Sequence, residues 1–224
     1  FGIRFKTFSD TEVLLKSYIH FGIKFLNKIE GMWSFAIYDK FREKVILSRD
    51  RFGEKPLYYS IINDGLYFSS DIRVIQCLAE KQFKKNIKKL VSSVVSGYKS
   101  SCKNLSETYY EDIFQLPGSN YIEIDKKFKI KSHIYWKPKI NRIIKLNKTE
   151  ILKRAKNLLF GSIKKRLRSD VPLAFCLSGG VDSGALVSIA KKEFNFNVNS
   201  FSIIENQDQR YSEKKNIDKV VKDC

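Results

Sequence analysis

The chain has 224 residues, 43% hydrophobic and 13% aromatic, enough apolar material for one large or two small packed domains and too much for wholesale disorder. Its formal charge is +18, but the basic residues are scattered and lysine, isoleucine and asparagine are abundant together, so AT-rich coding explains the charge better than a nucleic-acid face does, while anionic substrates would still benefit from it. Cys77, Cys102, Cys176 and Cys224 fit neither a zinc ribbon nor a disulfide framework and read as reduced cytosolic thiols, and no apolar run approaches the ~18 residues of a membrane span.

Phe1-Gly2-Ile3-Arg4-Phe5 reads as the middle of a strand, so the sequence is expected to be truncated at its start. Ser9-Asp10 followed by Glu12 predicts a helix start, with Val13, Leu14, Tyr18, Phe21 and Phe25 at helical spacing and Gly22 weakening or ending it. The period then changes. Strands are predicted at 32–38, 44–48, 57–61 and 66–69, with a hairpin turn at Asn63-Asp64-Gly65, because Asn and Gly tolerate positive φ. Asp71 caps a short helix through Leu78. A lysine-rich stretch with little patterning leads to Leu116-Pro117-Gly118-Ser119, a turn feeding an alternating strand to Ile124. The first domain is read as 1–136, a polar linker as 137–147 and a second domain as 148–224, opened by Thr149-Glu150 and a long amphipathic helix.

The chemistry is concentrated in Leu177-Ser178-Gly179-Gly180-Val181-Asp182-Ser183. An apolar strand precedes this loop. A helix with Ala185, Leu186, Ile189 and Ala190 on its buried side follows, and a second apolar strand at 198–204 completes a βαβ unit. A tight glycine loop lets backbone N–H groups approach an anion, the helix N-terminus adds partial positive charge, and Ser178 and Ser183 supply hydroxyl donors. Asp182 would repel phosphate, which makes sense if a divalent cation such as Mg²⁺ sits between them. A Walker A loop would need a Gly-Lys pair, and a dinucleotide fingerprint would need Gly-x-Gly-x-x-Gly; neither is present.

Ser-Gly-Gly-x-Asp-Ser is similar to the pyrophosphate loop of enzymes that split ATP into AMP and pyrophosphate. Upstream, Thr7-Phe8-Ser9-Asp10-Thr11-Glu12, Gly31-Met32-Trp33-Ser34-Phe35-Ala36, Arg49-Asp50-Arg51-Phe52-Gly53-Glu54-Lys55-Pro56-Leu57-Tyr58-Tyr59 and Phe68-Ser69-Ser70-Asp71 resemble, in order, the glutaminase domain of glutamine-hydrolysing asparagine synthetases. The resemblance implies a partial α+β, Ntn-type αββα sandwich, followed by the start of an α/β, adenine-nucleotide α-hydrolase-like domain with a parallel sheet. It implies glutamine, aspartate and ATP as substrates, Mg²⁺ as cofactor and an acyl-adenylate intermediate. Carried over by position, Asp10 would grip the α-amino group of glutamine, a role compatible with helix capping. Ser178, Gly179, Gly180, Asp182 and Ser183 would hold ATP, and Asp182 the metal. Leu177 and Ile203 would flank the adenine, although ordinary core packing would select the same residue types. Arg49, Asp50, Gly53 and Pro56 are read as structural, an ion-pair-prone turn near a domain interface. Arg210-Tyr211-Ser212-Glu213, where the family opens its next helix, is assigned no chemistry.

The N-terminal cysteine nucleophile of the family is missing, as are its Asn-Gly-Glu segment and its downstream acidic segment, and Gly184 stands where a second serine is common. The chain alone is therefore expected to hydrolyse no glutamine and make no amide. An acceptor other than aspartate, such as a surface-polysaccharide sugar acid, stays open, as does a homodimer. A tRNA-modifying pyrophosphatase would use the same loop near its N-terminus rather than after about 175 residues of other sequence. A domain that has lost its nucleophile and only binds partners is the remaining reading.

Overall fold

The computed structural model describes residues 4–63, 65–97, 104–139, 146–204 and 212–224. Phe1 to Ile3, Asp64 of the expected hairpin turn, Cys102, positions 140–145 of the expected linker, and Arg210 and Tyr211 lie outside the described residues. The chain divides into two compact units, Phe1–Ile140 and Asn141–Cys224.

The first unit runs α1 (Asp10–Phe21), β1 (Ser34–Asp39), β2 (Lys44–Arg49), β3 (Tyr58–Ile62), β4 (Gly65–Ser69), α2 (Ile72–Leu78), α3 (Ile87–Ser96), β5 (Phe114–Gln115), β6 (Asn120–Asp125) and β7 (Ile130–Ile134). One antiparallel sheet has the order β1-β2-β6-β7 and a second the order β4-β3-β5. The period-two alternation of their side chains builds four layers. Ile46 of β2 and Ile37 of β1 pack with Tyr18 of α1 and with Phe25 and Leu26 of the 3-10 turn after it. Leu47 of β2 and Ile122 and Ile124 of β6 point the other way, into a core shared with Tyr59 and Ile61 of β3 and Leu66 of β4. Tyr58 and Ile62 of β3 turn outward again to meet Ile72 and Ile75 of α2. The result is helix, sheet, sheet, helix, the sandwich expected from the resemblance. Each fully buried Leu or Ile in these layers contributes about 2 kcal/mol of transfer free energy.

Local signals explain the boundaries. Ser9 caps α1 by accepting from the Thr11 N–H, and Gly22, at φ +58, ends it with its N–H on the Tyr18 carbonyl. Asp71 caps α2 through the Arg73 N–H. Short β5 and β7 lack an apolar pattern of their own and form by pairing with β3 and β6, so the sequence carries little signal for them.

The second unit runs α4 (Lys148–Arg166), β8 (Ala174–Cys176), α5 (Val181–Phe194), β9 (Asn199–Phe201) and α6 (Lys214–Asp223). A capping box between Asn147 and Glu150 starts α4. β8 and β9 pair in parallel, so β8-α5-β9 is the βαβ unit the sequence implied. Both strands are shorter than the apolar runs that announced them. The buried residues of α5 are Gly184, Val187 and Ala190, at i, i+3 and i+6; the expected Leu186 is exposed, because it is Gly184 and Val187 that meet Val220 and Ile217 of α6. No helix among the described residues is long and apolar enough to cross a membrane.

Candidate functional site

Two strands position the serine–glycine loop. The Leu177 N–H donates to the Phe201 carbonyl at 2.9 Å, and the Ser202 hydroxyl donates to the Leu177 carbonyl at 2.7 Å, tying the strand end to its neighbour. The chain then turns at Gly179, whose φ of +85° favours glycine; a Cβ there would lie 2.7 Å from the Glu213 Cβ. Glu213 also anchors the start of α6, its carbonyl accepting from the Asn216 and Ile217 N–H groups. The two serines close the loop. The Ser178 N–H donates to Ser183 Oγ at 3.2 Å, the two hydroxyls lie 3.1 Å apart, and Ser183 Oγ donates to the Gly180 carbonyl.

Gly180 is the N-cap of α5 and brings no side-chain cap, which leaves the first-turn N–H groups at the positive end of a helix of 14 residues. Asp182 lies in that first turn and is exposed. Ser178, Gly179, Gly180, Asp182 and Ser183 are thus brought to one loop. Leu177 and Ile203 part company: Leu177 is buried among Val187 and Ile217, whereas Ile203 is almost fully exposed. Among the described residues no group of three or more His, Cys, Asp or Glu side chains could hold a metal alone. A cation at Asp182 would take its other ligands from phosphate and water, which suits Mg²⁺.

In the first unit, Asp10 is the first residue of α1 and exposed, and the capping is done by Ser9. The residue that organises this segment is Glu12, whose sequence signal is only that of an acid in a first turn. Its carboxylate accepts from the Lys6 N–H at 2.9 Å, the Thr7 N–H at 2.6 Å and the Thr7 hydroxyl at 2.7 Å, and pairs with Lys16 at 2.6 Å. The Lys16 ammonium first, then Thr7 and Lys6, hold its carboxyl down at about 2. Glu12 thereby folds residues 6 and 7 back onto the helix start and leaves Asp10 at the tip.

Arg49 and Asp50 do not form the expected ion pair. The Arg49 guanidinium donates to the carbonyls of Lys55 (2.6 Å), Gly53 (2.6 Å) and Leu116 (2.8 Å). The fully buried Asp50 carboxylate accepts from the N–H groups of Trp33, Phe52, Glu54 and Lys55. Burial pushes the Arg49 pKa down from its ordinary value. Cys77, Cys176 and Cys224 are free thiols.

A four-layer α+β unit is thus followed by a βαβ unit whose loop can receive an anion. A family model for the glutamine amidotransferase domain matches residues 1–136, and one for asparagine synthase matches residues 154–224. Glutamine-hydrolysing asparagine synthetase 2 of Bacillus subtilis is 33% identical over 220 residues, covering 93% of this chain and 29% of that protein. Glutamine-hydrolysing asparagine synthetase 1 of the same organism is 32% identical over 205 residues, covering 90% of this chain and 31% of its own length. A solved glutamine phosphoribosylpyrophosphate amidotransferase from B. subtilis aligns over 94% of this chain and 43% of its own at 18% identity, with a TM-score of 0.39, too low to bear on the fold. The chain belongs to the glutamine-hydrolysing asparagine synthetase family. It spans about a third of the length of these relatives.

Proposed function

We propose that this chain is part of an enzyme that uses ATP and glutamine to convert aspartate into asparagine through an acyl-adenylate, releasing AMP and pyrophosphate. The observation that carries this reading is the uncapped start of α5 beneath a loop closed by Ser178 and Ser183, with Asp182 exposed beside it. A free carboxylate is a poor electrophile, and transfer to AMP gives it a good leaving group. The loop's N–H groups and hydroxyls then stabilise charge on the departing pyrophosphate. Mg²⁺, held by Asp182 and the phosphates, would neutralise that charge further. Ile203 offers an exposed apolar side chain to the adenine, while the contribution of Leu177 is to fix the loop from the core. Asp10, at the tip held by Glu12, takes the α-amino group of glutamine. The names of the relatives support aspartate over another carboxylate as acceptor. The family's metabolic setting supports a cytoplasmic location.

The test is an assay of the intact protein with ATP, Mg²⁺, aspartate and glutamine, following AMP, pyrophosphate and asparagine. Stoichiometric formation of all three is expected. Orthophosphate release without AMP would overturn the adenylation chemistry, and pyrophosphate release only with a different carboxylate would reassign the acceptor.

A further inference from the structure

A cavity of about 420 Å³ is lined only by residues of the first unit, and Asp10 is not among them. Its charged lining is Arg49, Arg51, Lys89 and Glu107, with the amides of Asn104 and Gln115. Among the described lysines Lys89 alone is buried, at 5% exposure. No acceptor among the described residues takes a hydrogen bond from its ammonium. Its position sharpens the anomaly: Lys89 is in the first turn of α3, where Asn86 caps the helix by accepting the Lys89 N–H and no acidic residue is present. A cation in the first turn of a helix is disfavoured by the helix dipole.

The neighbouring cations do not relieve it. All three nitrogens of Arg49 are committed to carbonyls. Arg51 sends one nitrogen to the Ile29 carbonyl and lies over the Trp136 ring, but its Nε is buried without a partner. Glu107, the single carboxylate of the lining, already accepts from Asn104. Three cations therefore face one carboxylate around a space large enough for a small metabolite.

We propose that this cavity is a binding site for a small oxyanion, received by the Lys89 ammonium and the Arg51 guanidinium. Either a phosphate or a carboxylate supplies the required chemistry. Nothing in the proposal depends on the reading of the nucleotide loop.

The experiment is calorimetric titration of inorganic phosphate, and separately of L-aspartate, into the intact protein carrying Ser183→Ala, which weakens phosphate binding at the other loop. Saturable binding of one of the two is expected, with Lys89→Gln weakening it at least tenfold and Lys89→Arg retaining it within about threefold, since a charge-assisted hydrogen bond is lost in the first and kept in the second. The anion that shows this dependence identifies the ligand class. Thermal melting guards against misfolding: Lys89→Gln removes a cation from the start of a helix, so without anion it should melt no lower than the parent, while the anion should raise the melting temperature of the parent more than that of the variant. Absence of binding by both anions, or binding unchanged in Lys89→Gln, would overturn the proposal.

Discussion

Arg49 and Asp50, adjacent in sequence, hold one loop by its two opposite polarities. Asp50 collects N–H groups from Trp33, Phe52, Glu54 and Lys55, while Arg49 supplies donors to the carbonyls of Gly53, Lys55 and Leu116. Lys55 is taken from both sides. Gly118 packs so closely beneath that an added Cβ would lie 2.8 Å from the Gly53 nitrogen. Asp50→Asn presents an amide N–H₂ to N–H donors and should destabilise the unit by about 3 kcal/mol. Arg49→Lys cannot reach three divergent carbonyls and should cost about 2 kcal/mol. Both follow from urea unfolding; an Asp50→Asn midpoint equal to that of the parent would show that the loop does not need the charge.

Acid should loosen the first unit through two carboxylates. Asp39 accepts from the buried Tyr18 hydroxyl at 2.6 Å and pairs with Arg42 at 2.8 Å, and these bonds hold its carboxyl at about 2, below the ordinary 3.8. Glu12 is held at about 2 against an ordinary 4.5. Both values are depressed in the folded state. The stability they give is complete above the ordinary values and is lost as pH falls from about 4.5 toward 2. Burial first, and Asp39 second, raise Tyr18 from 10 to about 12, so its contribution is lost between those values on the alkaline side. Tyr18→Phe should move the Asp39 titration back toward its ordinary range, as read by carboxyl NMR; an unmoved Asp39 would rule out the tyrosine as the main cause.

Legibility followed the range of the interactions. The Asp71 cap, the Asn147–Glu150 start of α4 and the strand–loop–helix of the serine–glycine segment use partners within a few residues, so their sequence signals were sufficient. The true partners of Arg49 were not readable, because Leu116 lies 67 positions away and contributes only a carbonyl, which every residue carries. Glu12 was misjudged for the same reason, since two of its three donor groups outside Lys16 are backbone N–H groups. The buried position of Lys89 was hidden among the many exposed lysines around it.

Capping and ligand contact separate cleanly at the start of α1. Ser9→Ala removes the hydroxyl that accepts the Thr11 N–H and should cost about 1 kcal/mol of stability with little change in glutamine affinity. Asp10→Ala leaves the cap intact and should lower glutamine affinity at least tenfold with stability nearly unchanged, as seen by glutamine titration and thermal melting of the intact protein. Loss of stability without loss of affinity in Asp10→Ala would return this residue to a structural role.

The two loop glycines should respond oppositely to one methyl group. At Gly179 the backbone has φ +85°, and a Cβ would meet the Glu213 Cβ at 2.7 Å and its carbonyl oxygen at 3.0 Å. Gly179→Ala therefore strains the backbone and pushes on α6, for a cost of about 2 kcal/mol. At Gly180 the φ is −74°, within reach of any residue, and the nearest atom to a Cβ would be the Ser178 hydroxyl at 3.5 Å. Gly180→Ala should fold normally. Its methyl group would nevertheless stand at the start of α5, where the proposed phosphate approaches the backbone, so ATP affinity should fall while stability holds. Melting curves and ATP titrations of the two variants separate these effects. Equal stability losses would mean that the turn is held by something other than the conformation of Gly179, and full ATP affinity in Gly180→Ala would place the phosphates away from the helix start.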